Sequence, residues 1–148
     1  ASMLSSTLGR LMLEREGREL TGAITVVELY IPDLTRCLIV NLASFVNNPR
    51  SLSAFHRLAQ RSVRSIFEEL GFELCPLSKK KCNHPEHPYE YVKPEELTLE
   101  QVKLASPDRF ELDSVVFDVL GLTDEERLEV YRAVAQLVKD RLVKARSV

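Results

Sequence analysis

A helix stop and a helix start lie two residues apart near the C-terminal end of this chain, and they constrain its folding more than any other feature. Gly121 closes an apolar run that begins at Asp113, and Thr123-Asp-Glu-Glu126 opens the next. A glycine just past the last apolar position supplies the left-handed residue at which many helices end. Thr123 with Glu126 three residues on is a capping-box pattern, in which the hydroxyl takes an early N–H and the carboxylate reaches back. Asp124 and Glu125 place negative charge where the helix dipole favours it, and Lys139, Arg141, Lys144 and Arg146 stand toward the opposite end. Leu128, Tyr131, Ala135, Val138 and Leu142 recur at three- and four-residue steps. That spacing predicts an amphipathic helix running to about Ala145, with one stripe against a core. Asp113 to Leu120 is predicted as a shorter helix before it.

Upstream, Leu4, Leu8, Leu11 and Met12 give a helical face between Met3 and about Arg18. Ala23 to Ile31 (AITVVELYI) is β-branched, aromatic and short, and Pro32-Asp33 stops it. This is a strand pattern with two apolar faces. Leu52, Phe55, Ala59, Val63, Ile66, Phe67 and Leu70 make a second helical stretch, with Ser51 or Ser53 as cap, a break near Ser62 and Gly71 as stop. From Phe72 to about Glu111 prolines stand at 76, 85, 88, 94 and 107. They argue for an irregular connection with room for one short helix between Pro94 and Leu104. The expected fold is α+β and mostly helical: amphipathic helices, a small sheet around residues 23–31 and a long irregular insertion. Residues 1–148 are read as a single domain, with sections 1–71, 72–111 and 112–148.

The length of 148 residues suits one domain with a core that needs no disulfide staples. No apolar run reaches the length of a membrane span. The opening Ala1-Ser2-Met3-Leu4 lacks the basic-then-apolar order of a signal peptide and reads as a cut from a longer chain. Three cysteines, an odd number, fit a reducing cytoplasm better than a secreted disulfide framework. The net charge of −2 supplies no global basic field, but its distribution is uneven. No acid occurs from Leu34 to Phe67, where Arg36, Arg50, Arg57, Arg61 and Arg64 stand. A local basic stretch in a mildly acidic chain is a candidate duplex-binding patch, and a solvated helix face is the plain alternative.

Catalytic signatures are missing. The closest glycines, Gly17 and Gly22, are five residues apart, so no glycine-spaced turn lets the backbone approach a nucleotide-like cofactor. No phosphate-binding loop, nucleophile elbow or His-Glu-x-x-His helix occurs. Asn48-Pro49-Arg50 reads as a loop turn. The chain is expected not to be an enzyme by itself.

Three segments carry a family resemblance. The clearest is FELDSVVFDVLGLTDEERLEVYRAVAQLVKDRLVKARSV, Phe110 to Val148, with its Asp-led helix, Leu-Gly-Leu-Thr junction and Glu-Val-Tyr-Arg helix. The others are Arg64-Ser-Ile-Phe-Glu-Glu-Leu-Gly71 and SSTLGRLMLEREGRELTGAITVVELYIPDL, Ser5 to Leu34. Together they resemble the C-terminal region of N6-adenine DNA methyltransferases of restriction–modification systems. The departure is residues 72–108, a basic Cys/His-containing insertion that matches no part of that pattern. The resemblance implies a non-catalytic C-terminal DNA-recognition or bracing domain. Its partners would be double-stranded DNA and a methyltransferase domain upstream, and S-adenosylmethionine would belong to that domain alone. A structural or protein-interaction module without DNA contact of its own is the alternative.

Two sets of site residues follow. Arg36, Arg57, Arg61 and Arg64, with the loop lysines Lys79, Lys80 and Lys81, are candidates for phosphate contact, the last three arginines lining one face if their helix is continuous. Cys75, Cys82, His84 and His87 fall within thirteen residues and offer the donor types and number of a tetrahedral structural zinc. Their gaps are not a standard finger spacing. An exposed loop with free thiols and a Cys75–Cys82 disulfide are the rival readings.

Overall fold

The computed structural model describes Thr7, residues 47–75 and residues 84–147. Five α-helices and two 3-10 turns make up its regular structure there: α1 (Pro49–Gln60), α2 (Ile66–Glu69), turns at Tyr89–Tyr91 and Pro94–Glu96, α3 (Leu99–Ala105), α4 (Pro107–Leu120) and α5 (Asp124–Arg146). No strand occurs among the described residues, which are 71% helix, so the expected α+β class is corrected to a helical one. The anticipated strand at 23–31 and the helix from Met3 lie outside the described residues, apart from the helical Thr7.

Helix α4 is the centre. It begins at Pro107, six residues before the expected Asp113, because proline is preorganised for the first helical position. It has no single apolar stripe: Arg109, Leu112, Asp113, Val115, Val116 and Phe117 are all buried. A helix apolar on more than one side must be covered on more than one side. Leu112, Val115 and Val116 pack with Ala54 of α1, flanked by Phe55 and Leu58. Phe117 joins the larger cluster with Ile66, Phe67 and Leu70 of the α2 region, Val92, Leu97, Val102, and Tyr131, Val134 and Ala135 of α5. The predicted stripe of α5 faces this cluster, with Leu128, Val138 and Leu142 packed on it.

Helix α1 buries a different face from the one predicted. Ser51 and Ala54 are buried, while Leu52 is 45% and Val63 95% exposed. The cause is the helix end. Asn48, not Ser51 or Ser53, is the cap, its Oδ1 accepting from the Arg50 N–H at 3.0 Å with Pro49 in the first turn. The helix stops at Gln60 and Arg61 is extended, so Val63 never continues the α1 stripe. The break near Ser62 is as expected. Helix α2 restarts on a Ser65–Glu68 capping box. Gly71 (φ +79) and Gly121 (φ +68) end α2 and α4 in left-handed conformation. At each end the next N–H bonds back five residues, Phe72 to Phe67 at 2.8 Å and Leu122 to Phe117 at 3.0 Å. The Thr123–Glu126 box predicted for α5 is present, with Thr123 N–H to Glu126 Oε2 at 2.8 Å and Glu126 N–H to Thr123 Oγ1 at 3.3 Å.

Buried charge ties these helices together. The Arg109 guanidinium of α4 is 2% exposed and pairs with Glu69 of α2, itself 2% exposed. Glu69 also takes Arg61 at 3.2 Å, and Arg61 reaches Asp108 at 2.5 Å. One turn along α4, the Asp113 carboxylate accepts the Thr7 N–H at 2.7 Å, the Thr7 hydroxyl at 2.5 Å and the Tyr131 hydroxyl at 3.2 Å. Complete burial pushes the Asp113 pKa up from its ordinary 3.8 to about 6, against the opposing pull of Arg109, Thr7 and Tyr131. Burial and the Asp113 charge raise Tyr131 further still, so it stays a neutral donor.

Removing one partner of a buried pair leaves the other charged and unsolvated, at a cost of about 3–5 kcal/mol. Arg109→Ala is therefore expected to lower unfolding free energy by about that amount in urea titration, whereas Arg109→Met with Glu69→Leu together is expected to cost less than Arg109→Ala alone. Asp113 predicts a pH dependence. The folded state holds its proton more tightly than the unfolded chain, so this stabilisation is full below pH 3.8 and lost as pH rises to about 6. The difference in stability between the wild type and Asp113→Asn should shift against the wild type by roughly 3 kcal/mol across that window, measured by urea titration at several pH values.

Candidate functional site

The expected arginine patch is not one helix face. Only Arg57 lies within α1; Arg61 is its C-terminal cap and Arg64 lies in the extended link to α2. Arg57 donates to Ser53 Oγ at 2.7 Å and pairs with Glu111 of α4, which also has Arg50 at 3.9 Å. Arg61 is largely enclosed by Glu69 and Asp108. Burial pushes the Asp108 carboxyl up, but the bonds from Arg61 and from the Arg109 N–H outweigh it and its pKa ends lowered. Arg64 is exposed, beside Glu68. Glu68 is held below its ordinary pKa by the Ser65 backbone N–H and hydroxyl, burial opposing, with a smaller contribution from Arg64. The carboxylates that pair with Arg57 and Arg61 come from α2 and α4, 8 to 54 residues away, so the local absence of acids in the sequence says little about the charge they meet. Arg36 and the lysines Lys79, Lys80 and Lys81 lie outside the described residues.

The second candidate sits where the chain leaves α2 and where it returns before α3. The Cys75 N–H donates to the Pro88 carbonyl at 3.4 Å, which ties the two limbs. A run of turns then sets the side chains: the His87 N–H bonds to the His84 carbonyl at 3.1 Å and the Tyr89 N–H to the Glu86 carbonyl at 2.6 Å. Glu90 follows in the 3-10 turn, three residues after His87, a spacing that brings two side chains to one side. Ligand atoms of Cys75, His87 and Glu90 all lie within 4.8 Å of one another. His87 Nδ1 is 3.5 Å from Glu90 Oε1. His87 is 1% and Cys75 9% exposed, while Glu90 faces solvent. Cys75 is a free thiol, so it forms no disulfide. Tyr91 stands beside Cys75, and its pKa is raised first by the Cys75 sulfur, then by Glu90, burial and hydrogen bonding toward Cys75.

Of the expected zinc ligands, Cys75 and His87 are brought together. His84 is exposed and its Nδ1 accepts the Glu86 N–H at 3.3 Å, apart from the cluster, and Cys82 lies outside the described residues. Glu90 was not foreseen; the legible signal was the His-x-x-Glu spacing. A shallow groove between the Pro94 turn and α5 is lined by Pro94, Glu95, Glu129, Arg132, Ala133 and Gln136. Its cation is in use, because Arg132 pairs with Glu129 at 2.8 Å and donates to the Leu97 carbonyl at 3.1 Å.

No helix among the described residues is long and apolar enough to cross a membrane. In comparison with known proteins, no family model, curated sequence or solved structure matches the chain.

The two central arginines should respond differently to truncation. Arg61→Ala removes a partner from buried Glu69 and is expected to destabilise by about 1–3 kcal/mol. Arg64→Ala is expected to stay within about 0.5 kcal/mol of wild type. Thermal or urea unfolding of the two variants side by side checks the contrast.

Proposed function

We propose that this chain is a non-catalytic C-terminal domain of an adenine-specific DNA methyltransferase, one that braces the catalytic domain and adds duplex contacts from its exposed cations. The observation that carries the reading is the unit from Pro107 to Arg146. The segment with the strongest family resemblance is a buried helix, a left-handed Gly121 and a capped 23-residue helix. Its polar groups are spent on holding neighbours: Arg127 on Asp118 at 2.8 Å, Lys139 on the Val92 carbonyl at 2.9 Å, Arg132 on Leu97. Such a unit is suited to rigid support. Methyl transfer, cofactor binding and base extrusion would then belong to the domain upstream.

A second reading, bracing without DNA contact, is favoured by one specific observation. Arg57 and Arg61 already meet internal carboxylates, and each would have to leave one to meet a phosphate. Salt dependence separates the two. Each phosphate contact contributes a log–log slope of about −0.9, so one contact loses about threefold and three lose about fortyfold between roughly 50 and 200 mM salt.

The experiment measures duplex binding by the full chain at low salt through fluorescence anisotropy, with circular dichroism as the folding control. Weak binding that falls with salt, and weakens in Arg64→Glu, supports duplex contact. A folded chain with no binding at low salt leaves bracing alone. Calorimetry with S-adenosylmethionine is expected to give no heat of binding, and micromolar affinity would overturn the non-catalytic reading.

A further inference from the structure

We propose that Cys75, His87 and Glu90 form a binding site for a zinc-like divalent cation that clasps the two limbs of the 75–90 segment. Three donors from sites twelve and three residues apart converge: Cys75 precedes the loop, and His87 and Glu90 follow it. Thiolate, imidazole and carboxylate form a donor set that suits zinc, and a three-ligand site keeps its fourth position for water. The spacing is close to what a metal needs. Tetrahedral zinc holds sulfur at about 2.3 Å and nitrogen or oxygen at about 2.0–2.2 Å, so neighbouring ligand atoms sit roughly 3.3–3.6 Å apart. His87 and Glu90 already stand at 3.5 Å, and all three groups within 4.8 Å, so closure needs side-chain movement of about an ångström.

Burial gives the second argument. Cys75 and His87 are enclosed while Glu90 opens to solvent, so the ion has an entry path and an inner wall. The backbone bond from Cys75 to Pro88 fixes the inner pair before any metal arrives. Binding transfers the Cys75 proton to solvent, and the thiolate and carboxylate together balance the two positive charges of the ion. The site differs from the spacing-based set in using Glu90 in place of Cys82 and His84. It stands apart from the proposed function, and neither depends on the other.

The test uses the full chain purified without chelator and without a histidine tag. Elemental analysis is expected to find zinc near one per chain after zinc is offered and excess removed. Cobalt(II) alone, added to apo protein, is expected to give the intense absorption of a tetrahedral ion with a sulfur-to-cobalt charge-transfer band. Because Cys75 and His87 are buried, the exposed Glu90→Gln variant is the decisive one. Its helix content should equal wild type while cobalt and zinc affinity fall by more than about a hundredfold, as loss of a direct ligand should exceed the roughly 10–100-fold cost of losing an outer partner only. Cys75→Ser should lose the charge-transfer band. Zinc below about a tenth of an equivalent with a freely titrating Cys75 would overturn the site. So would wild-type affinity in Glu90→Gln, or a sulfur band that survives Cys75→Ser and disappears in Cys82→Ser.

Discussion

The paired charges of Arg109 and Glu69 set the terms on which the rest of the fold assembles. Both are almost wholly enclosed, and neither is tolerable there alone. Their pairing fixes α2 against α4 at one point, and Arg61 and Asp108 extend it to the end of α1. Apolar packing alone leaves such helices free to slide by a turn, because Ile, Val and Leu fill similar spaces. A buried ion pair is satisfied only where its two charges meet. Asp113 repeats the device a turn later, where Thr7 and Tyr131 converge on its carboxylate and bring Thr7 and α5 to the same wall.

The connection from Phe72 to Ser106 is held by a different means. Among its described residues Val92, Leu97 and Val102 are buried in the core, and Phe72, Leu74, Tyr89 and Leu99 pack against it. Long polar side chains from the helices supply the remainder. Gln101 caps the carbonyls of Leu70 and Gly71 at 3.2 and 2.9 Å, and Lys139 and Arg132 of α5 take those of Val92 and Leu97. Carbonyls without a helix or sheet partner still require donors, and these side chains provide them. The Cys75–His87–Glu90 cluster lies within this connection, where the Cys75 N–H reaches the Pro88 carbonyl.

The same pairing that stabilises the fold governs the functional readings. Arginines that look available in an acid-free stretch are engaged once the chain closes, because α4 brings Glu111 and Asp108 beside them. Any duplex contact by Arg57 or Arg61 competes with an internal carboxylate, whereas Arg64 has no such obligation to α4. A bracing role fits a surface whose charges are already matched; a gripping role needs cations left over.

What the sequence determined by itself was local. Gly121 followed by the Thr123–Glu126 box set the junction of α4 and α5, and the Tyr131 and Ala135 stripe set the buried face of α5, because capping and three-four periodicity act within a few residues. Gly71, the break after Gln60 and the short α3 were legible for the same reason. Tertiary structure decided whatever depended on distant partners. It turned Ser51 and Ala54 inward in place of Leu52 and Val63, started α4 at Pro107, and gave a helical class to the described residues where a small sheet was expected. It enclosed Arg109 with Glu69, forty positions apart, and put Glu90 beside Cys75 and His87. Side chains as far apart as Arg109 and Glu69 carry no mutual spacing signal; only packing brings them within reach, and the cost of burying an unmatched charge then selects which of them stay together.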